Sequence, residues 1–350
     1  MQLYQKFIFS KIGVLIFVIV GRCGDAFAQS SNPYISRIYE YRPAPGQFVN
    51  IMPEWEEGDG EVEMIAKCEE ILVGDEPGMV CLGAYGGYIT FGFDHPLVNV
   101  PEQYDIFVKG NAFISTSASD GGNSEPGIVM VSVDSNANGL PDDEWYELSG
   151  SADVDSVGLV DYAYEICYSY SPMQPVPWSD NRGGSGVVER NSFHGQEYFP
   201  MWLAGERQLS FRGTLLPKNA YYRGNLCVLR ALRYGYADNL PNYVGGERNP
   251  ACCFDLDWAV DANRRRVYLD HVDFVRVYCA VNQCMPMIGE TSTEFAGAED
   301  LHPEEIPTGV DVICDGAGRG ESVAYDLMGR RVCGVVKGVA IVNGRIVVGG

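Results

Sequence analysis

An acidic loop between two apolar segments carries oxygen-bearing side chains at the spacing of a cation site. Ile128–Val133 and Trp145–Leu148 predict strands on either side of it. The ligand order is that of an EF-hand loop, in which oxygen ligands alternate and a glycine makes the turn. The predicted ligands are Asp134, Asn136, Asn138, the carbonyl of Leu140, Asp142, and Asp143 or Glu144, because Trp145 occupies the twelfth position. We therefore predict a structural calcium (Ca²⁺) hairpin; the alternative is a polar turn of the same composition.

Aromatic and polar side chains are also concentrated in residues 178–186 and 191–202, which we predict to be loops. Exposed aromatic rings and amides on loops are a common way of holding a ring-shaped or sugar-like ligand. The predicted ligand-binding residues are Trp178, Asp180, Asn181, Arg182, His194, Glu197 and Trp202. Residues 233–239 add Tyr236, Asp238 and Asn239, either to the same rim or to a second calcium site. For the aromatic residues, the alternative is a place in the core.

The sequence lacks the common catalytic motifs, which gives little support to an enzymatic function. The sequence has no G-x-S-x-G elbow, no H-E-x-x-H and no Walker loop, and it has only 4 histidines. Because Asp and Glu are abundant, the sequence leaves open an acid/base pair of the kind that glycoside hydrolases use. We predict a binding protein, with a carbohydrate hydrolase or lyase as the alternative and a purely adhesive surface protein as the third possibility.

Composition narrows the class of partner. The formal net charge of −22 argues against binding to nucleic acid or to anionic lipid. Abundant glycine, proline and tyrosine favour an all-β chain with many loops. The chain has 11 cysteines, and in an oxidising compartment we expect disulfides, of which Cys279–Cys284 and Cys314–Cys333 are the candidates.

The order of elements predicts a β-sandwich. One helix is expected at Glu63–Leu72, with Ile65, Cys68, Ile71 and Leu72 on its buried face. Short strands follow at sandwich spacing, among them Tyr162–Tyr170, Gln208–Leu215 and Phe254–Val260. We expect a β-sandwich domain at 29–288, a linker at 289–308 and a small β domain at 309–350.

The first 28 residues predict an export signal. Lys6 and Lys11 form a basic region, Ile12–Val20 is an apolar segment too short to cross a bilayer, and Ala26–Ala28 provides a small-residue cleavage site. We therefore expect a mature chain that begins at Gln29 and is secreted or displayed on the cell surface.

Several segments resemble a known group of surface proteins. They are F-G-F-D-H-P-L-V-N-V (91–100), Y-D-I-F-V-K-G-N-A-F (104–113), S-E-P-G-I-V-M-V-S-V-D (124–134), F-D-L-D-W-A-V-D-A-N (254–263) and V-D-F-V-R-V-Y (272–278). In these the chain is similar to the exported jelly-roll cell-surface proteins, or PKD-domain proteins, of gut anaerobes. The resemblance implies a jelly-roll surface module that binds a ligand. Some relatives resemble components encoded beside corrinoid or glycan uptake systems, which implies a nutrient ligand and an outer-membrane transporter as partner.

The C-terminal segment carries a second resemblance. A-Y-D-L-M-G-R-R-V (324–332) and K-G-V-A-I-V-N-G-R-I-V-V (337–348) are similar to the type IX secretion sorting domain. The Asn343-Gly344 pair between two apolar segments is also a strong hairpin signal by itself. The resemblance implies recognition by the secretion machinery at the outer membrane; the alternative is a small β domain without a sorting role.

Overall fold

Short runs of β-branched and aromatic residues, separated by glycine and proline, form the strands of this protein. The computed structural model describes residues 32–286 and 288–305, together with strands at 324–326, 331–332, 338–342 and 345–349. The strands of the main region are β1 (Arg37–Arg42), β2 (Val80–Cys81), β3 (Tyr88–Gly92), β4 (Leu97–Val98), β5 (Ile106–Val108), β6 (Phe113–Ser115), β7 (Ala118–Asn123), β8 (Gly127–Ser132), β9 (Trp145–Leu148), β10 (Asp161–Ser169), β11 (Val176–Asp180), β12 (Ser185–Val188), β13 (Gln208–Leu215), β14 (Ala220–Arg223), β15 (Leu226–Arg230), β16 (Tyr243–Val244), β17 (Glu247–Arg248), β18 (Cys253–Phe254), β19 (Ala259–Val260), β20 (His271–Val272), β21 (Phe274–Cys279), β22 (Cys284–Met285), β23 (Gly289–Glu290), β24 (Glu294–Phe295) and β25 (Ala298–Asp300).

Helical structure is limited. Among the described residues one α-helix, α1, spans Glu61–Leu72, and short 3-10 helices lie at Ser151–Asp153, Met201–Glu206, Pro250–Cys252 and Leu256–Trp258. The N–H of Gly60 donates to the Glu63 carboxylate at 2.9 Å and so fixes the start of α1. No helix among the described residues has the length and apolar character needed to cross a bilayer.

The main core lies between α1 and a six-stranded sheet of order β1-β3-β21-β8-β9-β19. Strand β21 is central, since Val277 pairs with Ile89 on one side and with Val129 on the other. The helix buries Met64, Cys68 and Leu72 against this core, whereas Ile65 and Ile71 of the predicted face are only partly buried. A further core forms around the sheet β12-β11-β10-β13.

The all-β prediction is confirmed, since strands predominate in the part of the chain that the structure describes, with only 10% helix. The jelly-roll prediction is wrong: the arrangement resembles a four-bladed propeller. The physical reason is visible in the strand order. Sheets such as β12-β11-β10-β13 are built from strands that are close in sequence, so the strands spread over several small sheets instead of two facing ones.

Three local predictions also need correction. Phe254–Val260 is not one strand, because a 3-10 helix separates β18 from β19. Residues 289–300, predicted as part of a linker, form β23, β24 and β25 and are buried. The predicted Cys279–Cys284 disulfide is absent, and all eight cysteines within the described residues are free thiols. The Cys279 thiol instead donates to the carbonyl of Thr291 at 3.4 Å.

At the C-terminus four strands form a separate sheet of order β27-β26-β28-β29. The strands are β26 (Ala324–Asp326), β27 (Arg331–Val332), β28 (Gly338–Val342) and β29 (Arg345–Gly349). Val342 pairs with Arg345 across residues 343–344, as the predicted hairpin requires. The export signal and the Cys314–Cys333 pair lie outside the described residues.

Candidate functional site

Three acidic side chains from distant parts of the chain meet below the surface. Oxygens of Glu125, Asp238 and Glu294 lie within 4.8 Å of one another, and the three residues are only 7%, 2% and 4% exposed. Glu125 lies two residues before the start of β8, and Asp238 follows a bridge between Gly127 and Ala237. Glu294 belongs to β24, which pairs with β2. Long-range strand pairing therefore assembles the cluster.

Backbone N–H groups hold the Asp238 carboxylate at the centre of this acidic cluster. Its Oδ1 accepts from the N–H groups of Asn111 at 2.7 Å and Ala112 at 2.9 Å. Its Oδ2 accepts from the N–H of Glu294 at 2.9 Å. Asp238 itself has φ +51°, in the left-handed region, so the surrounding bonds maintain a backbone conformation that is uncommon for a residue with a side chain.

The two glutamates of the cluster have fewer donors. Glu125 accepts from the N–H of Ser292 at 3.0 Å and from the amide of Asn123 at 2.8 Å. Glu294 accepts from the amide of Asn111 at 3.3 Å. These carboxyl groups keep lone pairs that face each other and the space above them.

No Lys, Arg or His side chain among the described residues neutralises the cluster. Burial therefore raises the pKa of Glu125, Asp238 and Glu294, and the charge of Glu125 raises the pKa of the other two further. Three carboxylates this close, removed from water and without a cation, cannot all be ionised. The cluster must share protons, or it must hold a cation or a hydrogen-bonding ligand.

A cleft of about 390 Å³ opens above the cluster. Glu125 and Glu294 line it, and amide side chains supply much of the remaining polar surface: those of Gln47, Asn111, Asn123 and Asn191. Phe193 stands at its edge with 74% of its surface exposed. His194 also lines the cleft, and its ring packs edge-on against Phe48 at 4.7 Å between centroids. This acidic cleft combines fixed hydrogen-bonding groups with an exposed aromatic ring.

The structure brings only part of the predicted ligand-binding set to this cleft. His194 lines it and Asp238 lies in the cluster beneath it. Asn239 and Tyr236, from the same predicted segment as Asp238, have partners outside the cleft. Asn239 accepts from the N–H of Leu232 at 2.7 Å, and the hydroxyl of Tyr236 accepts from the N–H of Ala152 at 3.0 Å.

The remaining predicted residues support local structure elsewhere. Asp180 closes the turn after β11 by accepting from the N–H groups of Arg182 and Gly184, while Asn181 accepts from the N–H of Glu165. Trp178 lies in β11, where it pairs with Gly186 of β12. Arg182 forms an ion pair with Asp161. Glu197 accepts from the N–H of Met173 at 2.6 Å. Trp202 stacks on Tyr41 at 5.5 Å, so it belongs to the core.

Sequence reasoning missed Glu125 and Glu294. Glu294 lies in a polar stretch that had been assigned to a linker, and Glu125 stands one residue before a proline and a buried strand. The available signal was the S-E-P-G sequence, in which an acidic residue is separated from an apolar strand by one proline.

The predicted calcium hairpin forms a tight loop between β8 and β9. Both carboxylate oxygens of Asp134 accept from backbone N–H groups, those of Asn138 at 3.0 Å and Gly139 at 2.8 Å. The side-chain amides of Asn136 and Asn138 each donate to Asp142 at 3.0 Å. These bonds lower the pKa of Asp142, which favours its ionised form.

The sequence leaves two candidates for the last calcium ligand, Asp143 and Glu144. Their carboxylates have different surroundings in the structure. Oδ2 of Asp143 is buried and has no partner among the described residues. Glu144 is exposed and accepts from the hydroxyl of Tyr146 at 3.0 Å. Of the two candidates, Asp143 is therefore the one with an uncommitted buried carboxylate oxygen.

The sequence matches no protein-family model and no curated protein. Function must therefore be inferred from the two sites themselves.

A fourth buried acid, Glu290, offers a test of the electrostatics around the cleft. Its Oε1 accepts from the N–H of Gln47 at 2.6 Å, Oε2 has no partner among the described residues, and burial raises its pKa to about 8. The folded protein therefore keeps a proton that the unfolded chain releases above its ordinary pKa. The free energy of unfolding should fall as pH rises from about 4.5 to about 8, by up to about 1.4 kcal/mol per pH unit.

Glu290→Gln is neutral throughout this range and should not show that loss. Urea unfolding at pH 5, 6, 7 and 8 should show the variant gaining stability relative to wild type as pH rises. Glu57→Gln, at an exposed position, is the matched control and should follow wild type. Parallel pH profiles for Glu290→Gln and wild type would mean that Glu290 is ionised in the folded protein.

Proposed function

We propose that this protein is an exported surface protein that binds a glycan in the acidic cleft. The observation that carries the proposal is the pair Glu125 and Glu294, buried without a cation at the floor of a cleft walled by amides. Carboxyl and amide groups in fixed positions pair with sugar hydroxyls, and the exposed ring of Phe193 suits the apolar face of a sugar. The ligand replaces water at groups that are costly to leave unpaired.

The size of the cleft favours a glycan over a corrinoid. A volume of about 390 Å³ is at the lower end of ligand pockets. It accommodates a short oligosaccharide end, whereas a corrinoid with its appended groups is several times larger. Capture of a glycan at the cell surface for an outer-membrane transporter is consistent with the sequence resemblance.

Glycoside hydrolysis is the second candidate, because two carboxyl groups of the cleft are close together. Retaining glycosidases use a pair about 5–5.5 Å apart, one as acid and one as nucleophile. Ligand oxygens of Glu125 and Glu294 lie within 4.8 Å of one another, and burial raises the pKa of both carboxyl groups, which favours the protonated form that a general acid needs. In that reaction one glutamate would protonate the leaving oxygen and the other would attack the anomeric carbon.

Calcium has a structural role in this proposal. Asp134, Asn136, Asn138, the Leu140 carbonyl, Asp142 and Asp143 would hold the ion, which supplies a fixed positive charge to the loop. The chain's own contribution is the loop geometry, with Gly139 at φ +73° making the turn.

Export and sorting complete the proposal. The N-terminal signal would direct the chain out of the cytoplasm, and residues 309–350 would address it to the type IX machinery. The backbone pairing of β28 with β29 supports a hairpin of the expected register.

The binding proposal predicts a joint effect of the two glutamates. In a glycan-array screen followed by calorimetry, wild-type protein should bind a glycan that Glu125→Gln and Glu294→Gln bind about tenfold more weakly or worse, since an amide cannot exchange the proton that the carboxyl cluster shares with a ligand hydroxyl. Glu57→Gln should bind as wild type does. Release of a reducing sugar from the bound glycan, lost in both cleft variants, would favour the hydrolase instead. A glycan bound equally by all four proteins would show that the cleft is not the site.

The calcium proposal predicts a stabilised fold. At free calcium about a hundred times the dissociation constant, binding adds about 2.7 kcal/mol to the free energy of unfolding. Wild-type protein should therefore melt at a higher temperature in calcium than in excess chelator. Asp134→Ala should lose this response, while Asp75→Ala, at an exposed position outside the loop, should keep it. Equal melting temperatures of wild type in calcium and in chelator would contradict the assignment.

The sorting proposal predicts a change in location. Deletion of residues 309–350 should leave the protein inside the outer membrane, because the address is lost while the export signal remains. Fractionation of cells, with immunoblotting of the surface fraction, measures this. Undiminished surface protein after the deletion would rule out a sorting role for these residues.

A further inference from the structure

A second cleft, of about 330 Å³, lies between the six-stranded sheet and the sheet that contains β10 and β13. Trp145 of β9 and Tyr162 of β10 line it, together with Glu147, Arg264 and Arg212. It shares no lining residue with the acidic cleft. We call it the Trp145 cleft.

The polar side chains at the floor of the Trp145 cleft are held in place by an ion-pair network. The Arg264 guanidinium bonds to Glu147 at 2.6 Å and also to the carboxylate of Asp153. The second oxygen of Glu147 accepts from the hydroxyl of Thr214 at 2.6 Å, and Asp153 accepts from the hydroxyl of Tyr162 at 2.8 Å. Side chains held in this way present their free edges in fixed directions, which lowers the entropy cost of binding a ligand.

The backbone at Arg264 is strained in a way that serves this arrangement. Its φ of +61° lies in the left-handed region, where a residue with a side chain is uncommon. The turn is closed by the N–H of Arg264, which donates to the carbonyl of Asp261 at 2.8 Å. A glycine would adopt this backbone conformation at lower cost, but a glycine has no guanidinium. Such strain is concentrated at functional sites.

Two aromatic rings form the walls, and each is fixed by a guanidinium. The guanidinium of Arg276 lies 4.1 Å from the centroid of the Trp145 ring, and that of Arg264 lies 4.5 Å from the centroid of the Tyr162 ring. Tyr162 is 43% exposed, so its ring is accessible to a ligand. Rings supported from one side can still stack against the apolar face of a sugar on the other.

The charges of the Trp145 cleft are balanced, in contrast to the acidic cleft. Arg264 is shared between Glu147 and Asp153. Arg212 pairs with Glu165 at 3.3 Å, and Asp261 pairs with Arg265 at 2.6 Å, so each charged side chain of the lining has a partner of opposite sign. A charged ligand would therefore meet no uncompensated opposite charge, whereas hydroxyl groups can both donate to the carboxylates and accept from the guanidiniums. The chemistry that fits is a neutral, polyhydroxylated ring with one apolar face.

We propose that the Trp145 cleft is a second carbohydrate site, which binds a neutral sugar ring between Trp145 and Tyr162 above the Arg264–Glu147 pair. This inference goes beyond the acidic cleft, because it uses other residues and would stand if the acidic cleft bound nothing. Two sites on one surface protein would also raise its avidity for a glycan chain that reaches both.

The test uses the mature full-length protein and a panel of probes: methyl glycosides and tetrasaccharides of neutral hexoses and N-acetylhexosamines, with the corresponding glucuronides as charged probes. Saturation-transfer NMR and calorimetry measure binding. A neutral probe should bind wild type more tightly than its glucuronide. Trp145→Ala and Tyr162→Ala should each weaken it about tenfold or more, because each removes one stacking wall. Trp145→Phe, which keeps an aromatic wall, should retain most of the affinity.

Two controls separate this site from the acidic cleft and from misfolding. Tyr222→Ala removes a similarly exposed tyrosine on β14 and should bind as wild type does. Glu125→Gln alters the acidic cleft, so this variant should still bind the neutral probe, and adding Tyr162→Ala to it should weaken that binding about tenfold. The melting temperatures of all variants show which of them are folded. The proposal is overturned if no neutral probe binds wild type, if Tyr162→Ala, and Trp145→Ala where it is folded, bind with wild-type affinity, or if binding is lost only in Glu125→Gln.

Discussion

The carboxyl groups of Glu125, Asp238 and Glu294 are packed together away from water, with no cation beside them among the described residues. Desolvation and mutual repulsion both oppose ionisation, so the cluster has to be assembled by contacts that outweigh them. Those contacts are backbone N–H groups from residues 111, 112, 292 and 294, which belong to separate segments. The acidic cluster thus ties together the strand β24, the approach to β8 and the loop at 238, and the shape of the acidic cleft depends on it.

The same constraint explains why the cleft is suited to a ligand. Groups whose hydrogen-bonding capacity is incompletely used in a buried place gain most when a ligand with matching hydroxyls enters. The raised pKa of Glu125 and Glu294 also means that one of them can donate a proton while the other accepts, which a sugar hydroxyl can exploit in binding and a glycosidic oxygen could exploit in hydrolysis. In the Trp145 cleft the charges are already paired, so in the proposed second site the aromatic rings would supply the attraction.

Sequence reasoning succeeded where the determinants are local. The alternating patterns of β9 and β13 gave the bounds of those strands, and the acidic loop between β8 and β9 was located by its spacing. It failed where long-range pairing decides. Glu294 is buried in β24, where it pairs with Cys81 of β2, whereas the polar composition of its neighbours indicated a linker. The left-handed backbone of Asp238 and the free thiol of Cys279 likewise depend on partners far away in sequence.

The central claim is that the ligand lies on the acidic cluster. A crystal structure of the protein with a bound oligosaccharide tests it most directly. We predict a sugar in the acidic cleft, with a hydroxyl within hydrogen-bond distance of Glu125 or Glu294 and a ring against Phe193. An oligosaccharide bound at full occupancy elsewhere, with the acidic cleft holding only water, would contradict the claim.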